Sequence, residues 1–316
     1  MNKIVITGAA GFIGYHLVKK IINTKHKLIL IDNFSRGKKD KFFNNIIKNK
    51  RIKFLNQNLT RPFELKEDKI KYIFHLAARI GVKNVIKKPS ETINDNLSML
   101  INTINAVKKN NKKVKIIFFS TSEIYSPLIA NKTAKFPLKE NVNFIINNKI
   151  QARDSYYISK LVGEKIVELS GFDFINLRPH NVYGPRMGFS HVIPELIKKF
   201  KGKERRIKIY SPTHKRAFCY VDDAINQMVK LAFNKKANNF SFNIGNNEEE
   251  IKIFDLAKKI KILLKSKKEI IKGKNTPGSP IRRVPDIQKT NKLIKKFKFT
   301  NLDQGLENYT NWFLKK

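Results

Sequence analysis

The stretch Thr7-Gly8-Ala9-Ala10-Gly11-Phe12-Ile13-Gly14 decides the fold. It follows the apolar run Lys3–Thr7, which is predicted to be a strand, and it opens the helical pattern of Phe12–Asn23. Glycines let the chain turn tightly here and let the N-terminal amides of the helix approach a pyrophosphate. The sequence therefore predicts a nucleotide-binding turn between the first strand and the first helix.

Strand-like and helix-length segments alternate outward from this turn. The further predicted strands are Lys27–Asp32, Arg51–Leu55, Tyr72–Leu76, Val114–Ser120 and Phe172–Leu177, and the further helices are Lys38–Lys48, Glu91–Lys109 and Tyr156–Leu169. Repeated βα units imply an α/β fold, a Rossmann-type doubly wound parallel sheet with helices on both faces.

Beyond Pro179 the alternation loosens and proline and glycine become frequent, which predicts a smaller C-terminal lobe. We assign residues 1–178 to a nucleotide-binding domain and residues 179–316 mainly to a substrate-binding lobe. A predicted helix at Val221–Phe233 and a strand at Phe240–Ile244 are expected to pack back on the main sheet, so the first domain also receives approximately residues 221–244. The basic run Lys258–Lys274 is predicted to be an amphipathic helix with a solvated face.

The composition narrows the class of protein. The net charge of +40 comes from 65 Lys and Arg against 25 Asp and Glu, but lysine is spread along the chain and no nucleic-acid module is visible. Cys219 is the only cysteine, which excludes an internal disulfide and fits a reducing compartment. No signal segment, membrane-length apolar run or metal-ligand spacing is visible. We expect a cytoplasmic protein with no membrane, nucleic-acid or metal partner.

Asp32 ends the second predicted strand, about 20 residues after the glycine turn. A carboxylate at this position can bind both hydroxyls of a ribose and would repel a 2′-phosphate, so NAD is favoured over NADP. Arg36, Lys38 and Lys39 lie nearby and weaken this preference without reversing it.

Further motifs extend the pattern along the chain. They are His75-Leu76-Ala77-Ala78, Tyr156-x-x-x-Lys160, Leu177-Arg178-Pro179, Arg216-Ala217-Phe218-Cys219-Tyr220-Val221-Asp222-Asp223 and Arg282-Arg283-Val284-Pro285-Asp286. Together with the glycine turn they resemble the extended short-chain dehydrogenase/reductase family of nucleotide-sugar epimerases, dehydratases and decarboxylases. The likeness covers nearly the whole chain in the family's order. It implies that NAD works as a recycled catalyst and that a nucleotide-sugar lies between the two lobes.

The resemblance also implies the cofactor contacts. The residues expected to bind NAD are Gly8, Gly11, Phe12, Ile13, Gly14, Asp32, Asn33, Asn58, Leu59, Leu76, Ala77, Ala78, Tyr156 and Lys160. Asn58-Leu59 stands where the family usually has Asp-Leu beside the adenine. The carbonyl of the Asn58 side chain can still accept the amino hydrogen bond.

Tyr156 and Lys160 are one turn apart on one face of their predicted helix. A tyrosine titrates near pH 10, and a neighbouring ammonium with the positive nicotinamide ring is expected to lower the pKa of Tyr156. Tyr156 could then take the proton from a sugar hydroxyl while the carbon gives its hydride to NAD. By similarity to the family, Thr121 should hydrogen-bond the reacting hydroxyl.

The segment after the fifth strand leaves the reaction open. Glu123 completes a Thr-x-Glu pattern of dehydratases and decarboxylases, and it could remove the C5 proton of a keto-sugar, although an inert loop position is the alternative. Ser122 replaces the aspartate of thymidine-linked dehydratases. Arg153 matches an arginine of the decarboxylases and is predicted to bind substrate, but Ala152 replaces the preceding proline.

The segment Arg178–Pro194 looks most like family members described as epimerases. The preferred prediction is therefore 4-epimerisation of a UDP-hexose or UDP-hexuronate through a 4-keto-sugar. The alternatives are a UDP-glucuronate decarboxylase, a nucleotide-sugar 4,6-dehydratase and a 4-dehydrogenase that releases the keto-sugar. A non-catalytic NAD-binding or nucleic-acid-binding protein is a distant alternative.

Arg216, Arg282 and Arg283 are the candidates to bind the substrate's diphosphate, because guanidinium groups bind phosphate oxygens bidentately. Two adjacent arginines in so basic a chain could also be plain surface. Asn181 resembles the family asparagine that contacts the sugar-phosphate region. Uridine is favoured only as the family's commonest nucleotide. The resemblance further suggests a homodimer built from the helices Glu91–Lys109 and Tyr156–Leu169.

Overall fold

The computed structural model describes residues 2–109, 113–295 and 297–315. The chain divides into two compact units. Unit 1 comprises Met1–Ile124, Ile146–Arg178 and Ile225–Phe242, and unit 2 comprises Tyr125–Ile145, Pro179–Ala224 and Asn243–Lys316.

The strands and helices follow in chain order. The strands are β1 Lys3–Thr7, β2 Lys27–Ile31, β3 Ile52–Leu55, β4 Ile70–His75, β5 Lys115–Phe119, β6 Asp173–Pro179, β7 Val182–Tyr183, β8 Arg206–Ile209, β9 Lys215–Ala217, β10 Cys219–Tyr220, β11 Phe240–Ile244, β12 Glu250–Lys252, β13 Glu269–Lys272 and β14 Arg282–Arg283. The helices are α1 Phe12–Ile21, α2 Lys41–Ile47, α3 Val82–Lys87, α4 Pro89–Lys108, α5 Ser126–Ala130, α6 Asp154–Glu168, α7 Val192–Lys201, α8 Val221–Ala232, α9 Ile253–Leu263, α10 Gln288–Ile294 and α11 Leu302–Leu314. None of the helices in these described ranges is long and apolar enough to cross a membrane.

The central sheet has seven strands in the order β11-β6-β5-β4-β1-β2-β3, and β1 to β6 pair in parallel. From β1 the chain proceeds outward through β2 and β3, and it then returns to place β4 on the other side of β1. This reversal creates the crevice at the carboxyl ends of β1 and β4 in which such sheets bind ligands. The predicted fold class and strands are confirmed, with small differences at the strand ends.

The core of unit 1 lies where α4 and α6 cover the sheet. Val5, Ile73 and Ile116 from the strands pack with Leu100 of α4 and Val167 of α6, and all five are buried. Each fully buried side chain of this kind contributes about 1.5–3 kcal/mol. This packing holds α6, which carries the predicted tyrosine and lysine, against the middle of the sheet.

Unit 2 includes residues 125–145, which the sequence prediction placed in the first domain. Two backbone hydrogen bonds explain the difference. Leu138 donates its amide to the Val284 carbonyl at 2.9 Å, and Asp286 donates to the Leu138 carbonyl at 2.7 Å. A loop that appears early in the chain is thus paired with residues near its end, and local pattern does not reveal such pairing.

The predicted helix over Lys258–Lys274 is correct only as far as Leu263 and is wrong beyond it. Helix α9 ends at Leu263, and β13 pairs in parallel with β8 instead. Ile270 lies opposite Ile207. The apolar residues of this segment, which were predicted to lie on one face of a helix, therefore pair with a strand. Lys265 has a φ of 49°, a left-handed conformation that stops the helix before the strand begins.

Candidate cofactor and catalytic site

The glycine turn in unit 1 has no room for a side chain at Gly8 or Gly14. A Cβ on Gly8, whose φ is 66°, would lie 2.9 Å from the Ala77 nitrogen, and a Cβ on Gly14 would lie 2.2 Å from the Gly8 carbonyl oxygen. Gly11 caps α1 without a side-chain hydrogen bond. The turn therefore leaves the N-terminus of α1 open to a pyrophosphate and fits the phosphate groups of a dinucleotide.

Thr7 ties the end of β1 to the end of β4. Its Oγ1 accepts hydrogen bonds from the amides of Leu76 and Ala77, each at 3.2 Å, and it lies 3.2 Å from Nδ1 of His75. Because burial and the nearby Lys160 lower the pKa of His75 to about 3, the ring is neutral and its Nδ1 can accept the threonine proton. The segment Leu76–Ala78 is thereby held beside the glycine turn.

Asp32 follows β2 and is 8% exposed. Its Oδ2 accepts from the Ala10 amide at 2.9 Å and its Oδ1 accepts from the Phe34 amide at 2.8 Å. Burial raises the pKa of Asp32, although these two hydrogen bonds oppose the shift. The neighbouring Asn33 is exposed. Gly37 was not predicted, yet a Cβ there would lie 3.0 Å from Asp32 Oδ1, so a glycine keeps the carboxylate accessible.

The predicted adenine-side residues follow β3. Leu59 is buried, and its carbonyl accepts from Asn102 Nδ2 at 2.9 Å. Oδ1 of the exposed Asn58 accepts from the amide and the hydroxyl of Thr60 at 3.1 and 3.0 Å. The side-chain carbonyl of Asn58, which is expected to bind the adenine, therefore also stabilises the turn between Asn58 and Thr60. Arg36 donates to the Ile80 carbonyl at 2.5 Å, which ties it to the loop after β4.

Lys160 lies on α6 and is 3% exposed. Its Nζ donates to the Phe119 carbonyl at 2.7 Å and lies 4.9 Å from the centre of the Phe118 ring. Burial lowers the pKa of Lys160 to about 7, and the charge of Glu164 raises it. The lysine is therefore anchored to the end of β5, one helical turn from Tyr156.

Tyr156 forms a side-chain hydrogen bond with Thr121, so the structure brings together three predicted catalytic residues. Burial and then the Glu123 charge raise the pKa of Tyr156 to about 12, while the Thr121 hydrogen bond and the Arg36 charge lower it. Lys160 is not among the groups that act on this pKa, so the lowering expected from the ammonium and the nicotinamide ring together stays a prediction. Burial decides the sign, because it disfavours a phenolate more than the neighbouring groups stabilise one.

Glu123 and Arg153 were predicted for separate roles, and the structure joins them. Glu123 lies in a 3-10 helix, Ser122–Tyr125, directly after β5, and Arg153 precedes α6. Glu123 Oε2 lies 3.5 Å from Arg153 Nη2, with 24% and 23% of the two side chains exposed. Glu123 also acts on the pKa of Tyr156, so the carboxylate that pairs with Arg153 lies near the phenol.

The arginines of unit 2 separate into two kinds. Strand β14 pairs in parallel with β9, so Arg283 lies opposite Arg216 and Arg282 lies opposite Lys215. Arg216 and Arg283 are both 8% exposed. Arg282 instead donates to Glu250 Oε1 at 2.9 Å and lies 4.9 Å above the ring of Phe136. The ion pair of Arg282 makes Arg216 and Arg283 the stronger diphosphate candidates.

Arg216 and Asn181 are both positioned by hydrogen bonds within unit 2. Arg216 Nη2 donates to Ser279 Oγ at 3.0 Å and to the Pro280 carbonyl at 2.7 Å. Asn181 has a φ of 41°, and its Nδ2 donates to the Ala217 carbonyl at 3.0 Å. These hydrogen bonds orient both side chains.

Sequence reasoning missed Asn96, Glu164 and Arg178. Asn96 is buried on α4, accepts from the Arg79 amide at 2.6 Å and donates to Ser159 on α6 at 2.9 Å. No local pattern marks it. Glu164 and Arg178 form a buried ion pair, and the available signal was the four-residue spacing of Glu164 from Lys160. Within the described residues, no cluster of three or more His, Cys, Asp or Glu could hold a metal.

A doubly wound sheet with a glycine turn, a buried strand-end aspartate and a Tyr-Lys pair defines a dinucleotide-dependent enzyme of the dehydrogenase/reductase type. Residues 4–245 match the model of the NAD dependent epimerase/dehydratase family. The chain belongs to this family. Its predicted nature as an enzyme and its predicted cofactor NAD are thereby confirmed.

Two curated relatives cover nearly all of the chain. It is 30% identical to the UDP-N-acetyl-alpha-D-glucosaminuronate decarboxylase of Bacillus cytotoxicus in an alignment of 330 positions that covers 99% of this chain and 98% of the relative. It is 31% identical to UDP-glucuronic acid decarboxylase 6 of Arabidopsis thaliana in an alignment of 312 positions that covers 96% of this chain and 86% of the relative.

A solved structure is similar in fold. The UDP-glucuronic acid 4-epimerase of Bacillus cereus, in complex with UDP-glucuronic acid and NAD, has a TM-score of 0.83 and 26% identity, and 99% of each chain is covered. The relatives thus include both decarboxylases and an epimerase.

Proposed function

We propose that this chain catalyses the 4-epimerisation of a UDP-hexose or UDP-hexuronate through a 4-keto-sugar. One observation carries the proposal. Tyr156 is hydrogen-bonded to Thr121 at the end of β5, one helical turn from the buried Lys160. This arrangement places an acid–base group and a cation at the sheet edge where ligands of such folds bind.

The residues of the glycine turn and Asp32 would hold the cofactor, since a Cβ would fill the space at Gly8 and Gly14 and a buried carboxylate lies where ribose hydroxyls bind. When bound, NAD supplies the chemistry of accepting hydride from sugar C4 and returning it. Tyr156 takes the proton from the C4 hydroxyl, Thr121 orients that hydroxyl, and the ammonium of Lys160 stabilises the phenolate. The keto-sugar then turns to present its opposite face, and return of the proton by Tyr156 to the C4 oxygen completes the cycle with C4 inverted.

Arg216 and Arg283 are proposed to bind the diphosphate, because parallel register places these two buried arginines opposite each other on β9 and β14. Asn181 is proposed to contact the sugar-phosphate region. The similarity to enzymes named for UDP-sugars supports uridine as the nucleotide.

A second candidate is decarboxylation of a UDP-hexuronate, and the Glu123–Arg153 pair favours it. Arg153 can bind the C6 carboxylate of a hexuronate. Once C4 is a ketone, this carboxylate is β to a carbonyl, so the C5–C6 bond can break with loss of carbon dioxide, and Glu123 could then supply a proton to C5. Arg153 would serve a hexuronate epimerase equally well, so the pair favours hexuronates in both cases.

The test is mass-resolved chromatography of purified protein incubated with UDP-glucose, UDP-glucuronate and their N-acetylated counterparts. A new peak of unchanged mass supports epimerisation. Loss of carbon dioxide supports the second candidate, and loss of water would indicate a dehydratase. Accumulation of NADH in step with product would contradict both candidates, because it indicates a 4-dehydrogenase.

We also propose a cytoplasmic homodimer in which α4 and α6 form the interface. In unit 1 these helices pack side by side through the Asn96–Ser159 hydrogen bond, and Ile101 on α4 leaves 41% of its surface exposed. A twofold interface would cover such an apolar side chain. Light scattering after gel filtration should give the dimer mass, and Ile101→Asp should shift it toward the monomer. A monomeric wild-type protein would reject this proposal.

A further inference from the structure

Helix α6 carries a line of functional and charged residues at four-residue spacing. Tyr156, Lys160, Glu164 and Glu168 share one face of the helix. Lys160 is bonded to the Phe119 carbonyl of β5, as described above. The next two members of the line are bonded to β6, which is the neighbouring strand.

Glu164 and Arg178 form a bidentate pair. Arg178 Nε donates to Glu164 Oε1 at 2.9 Å, and Arg178 Nη2 donates to Glu164 Oε2 at 2.7 Å. The side chains are 1% and 4% exposed for Glu164 and Arg178. A planar fork on a carboxylate fixes both its position and its orientation. The carboxylate is therefore held one helical turn beyond Lys160 and cannot move away into solvent.

The two anchors belong to one rigid frame. Strands β5 and β6 pair in parallel with Phe119 opposite Leu177, the residue before Arg178. The acceptor of Lys160 and the partner of Glu164 thus lie on adjacent strands in fixed register. Glu168 extends the frame, because its Oε1 accepts from Asn176 Nδ2 at 3.3 Å.

We infer that Glu164 is a positioning residue, held by Arg178, whose negative charge keeps Lys160 protonated beside Tyr156. The inference rests on the role of Lys160 in the proposed function. Lys160 is buried, and among the groups that act on it Glu164 alone raises its pKa. His75, which also interacts with Lys160, is neutral above its pKa of about 3 and therefore supplies no compensating charge at neutral pH.

A purely structural role for the pair, joining α6 to β6, makes a different prediction. Glu164→Leu combined with Arg178→Met removes both charges and keeps apolar volume, and such replacements of buried ion pairs are often tolerated. If the pair serves only the fold, this double variant retains the wild-type titration of Lys160. If Glu164 acts on Lys160, the titration shifts although no buried charge is left without its partner.

The experiment measures NAD affinity from pH 6 to pH 10 in the wild type, the double variant, Lys160→Met and the triple variant. We expect the pH at which affinity falls to move down by about one unit in the double variant. In the Lys160→Met background the double substitution should cause no further shift. A folded double variant with the wild-type midpoint would overturn the inference, as would an identical profile in wild type and Lys160→Met.

Glu164→Gln combined with Arg178→Gln provides a second variant if the first double variant does not fold, because it removes both charges and keeps polar groups that can hydrogen-bond to each other. It should show the same shift. Glu168→Gln is the matched control, one turn further along the same line, and it should keep the wild-type midpoint. The readout needs no sugar. A wild-type protein that binds NAD but converts no nucleotide-sugar would therefore reject the proposed reaction and leave this result intact.

Discussion

The glycine turn of unit 1 and the β9–β14 strand pair of unit 2 have opposite features that suit an anionic ligand. The first removes side chains, since Gly8 and Gly14 have no room for a Cβ and Gly11 caps α1 without a side-chain hydrogen bond. The second buries charge, since Arg216 and Arg283 are almost fully covered on paired strands. A turn of this kind is complete within eight consecutive residues, whereas the arginine pair requires two distant segments to meet.

Burial shifts the pKa values of two site residues in unit 1. Burial raises the pKa of Asp32 and lowers that of Lys160, so both groups are less readily charged than in water. Such opposing shifts in one region are typical of functional sites, where binding and catalysis repay what burial costs in stability. The predictions below test whether each region carries the role that this contrast implies.

Tyr156→Phe should have the largest effect. Loss of the proton-transfer group should lower kcat by about 10²- to 10⁴-fold, while NAD affinity stays close to that of the wild type. Steady-state assays on the converted sugar, with NAD titration in parallel, measure both. Tyr157→Phe is the matched control, because Tyr157 is adjacent and buried but has the wrong spacing to Lys160. Full activity in Tyr156→Phe would exclude the tyrosine as the base.

Arg283→Met should weaken UDP binding by about 10- to 100-fold, the value of a hydrogen bond to a charged group. Arg282→Met should change UDP affinity by about twofold or less, because the Arg282 guanidinium already pairs with Glu250. Calorimetric titration with UDP compares them, and NAD affinity serves as the internal control. A larger loss in Arg282→Met than in Arg283→Met would reverse the assignment.

Gly14→Ala should destabilise the protein by about 1–3 kcal/mol, since the new methyl would lie 2.2 Å from a backbone oxygen. Gly202→Ala offers the contrast, because its Cβ would meet nothing closer than 3.5 Å. That variant should stay within about 0.5 kcal/mol of the wild type. Urea unfolding gives both values. Equal stabilities would show that the glycine turn tolerates a side chain.

Asp32→Asn should weaken NAD binding by about tenfold, because a charged acceptor of the ribose hydroxyls is lost. The pKa of Asp32 is raised in the folded protein, so ionisation of this group costs stability. The wild type should lose stability as the pH rises through this raised pKa, and the variant should lose less. Thermal unfolding from pH 4 to pH 7 compares the slopes. Parallel curves would mean that Asp32 is not perturbed.

Much of unit 1 could be predicted from sequence because its elements are local. The alternation of apolar runs predicted the strands, and the glycine turn and Asp32 have fixed spacing along the chain. Gly37 and Asn96 could not be predicted. Gly37 matters only because Asp32 lies 3.0 Å from where its Cβ would be, and Asn96 acts by joining a loop to α6. Such roles arise from contacts between segments that no period of the sequence records.

The limit of prediction from sequence is clearer in unit 2. Two adjacent arginines look equivalent in sequence, and strand pairing alone distinguishes them, burying Arg283 beside Arg216 and turning Arg282 toward Glu250. The run Lys258–Lys274 has a helical charge pattern, yet part of it forms β13 because β8 offers a partner. Tertiary pairing outweighed local propensity there.

The sequence by itself determined the doubly wound sheet, the nucleotide-binding turn, the choice of NAD and the Tyr156–Lys160 pair, because each depends on spacing within one or two neighbouring elements. Only the tertiary structure decided the charge of the catalytic groups. Burial raises the pKa of Tyr156, and the packing of α6 on the sheet brings Glu164 and Arg178 into contact one helical turn beyond Lys160. The physical reason is that a pKa depends on solvent exclusion and on charges from every direction, and the chain acquires both only when distant segments pack.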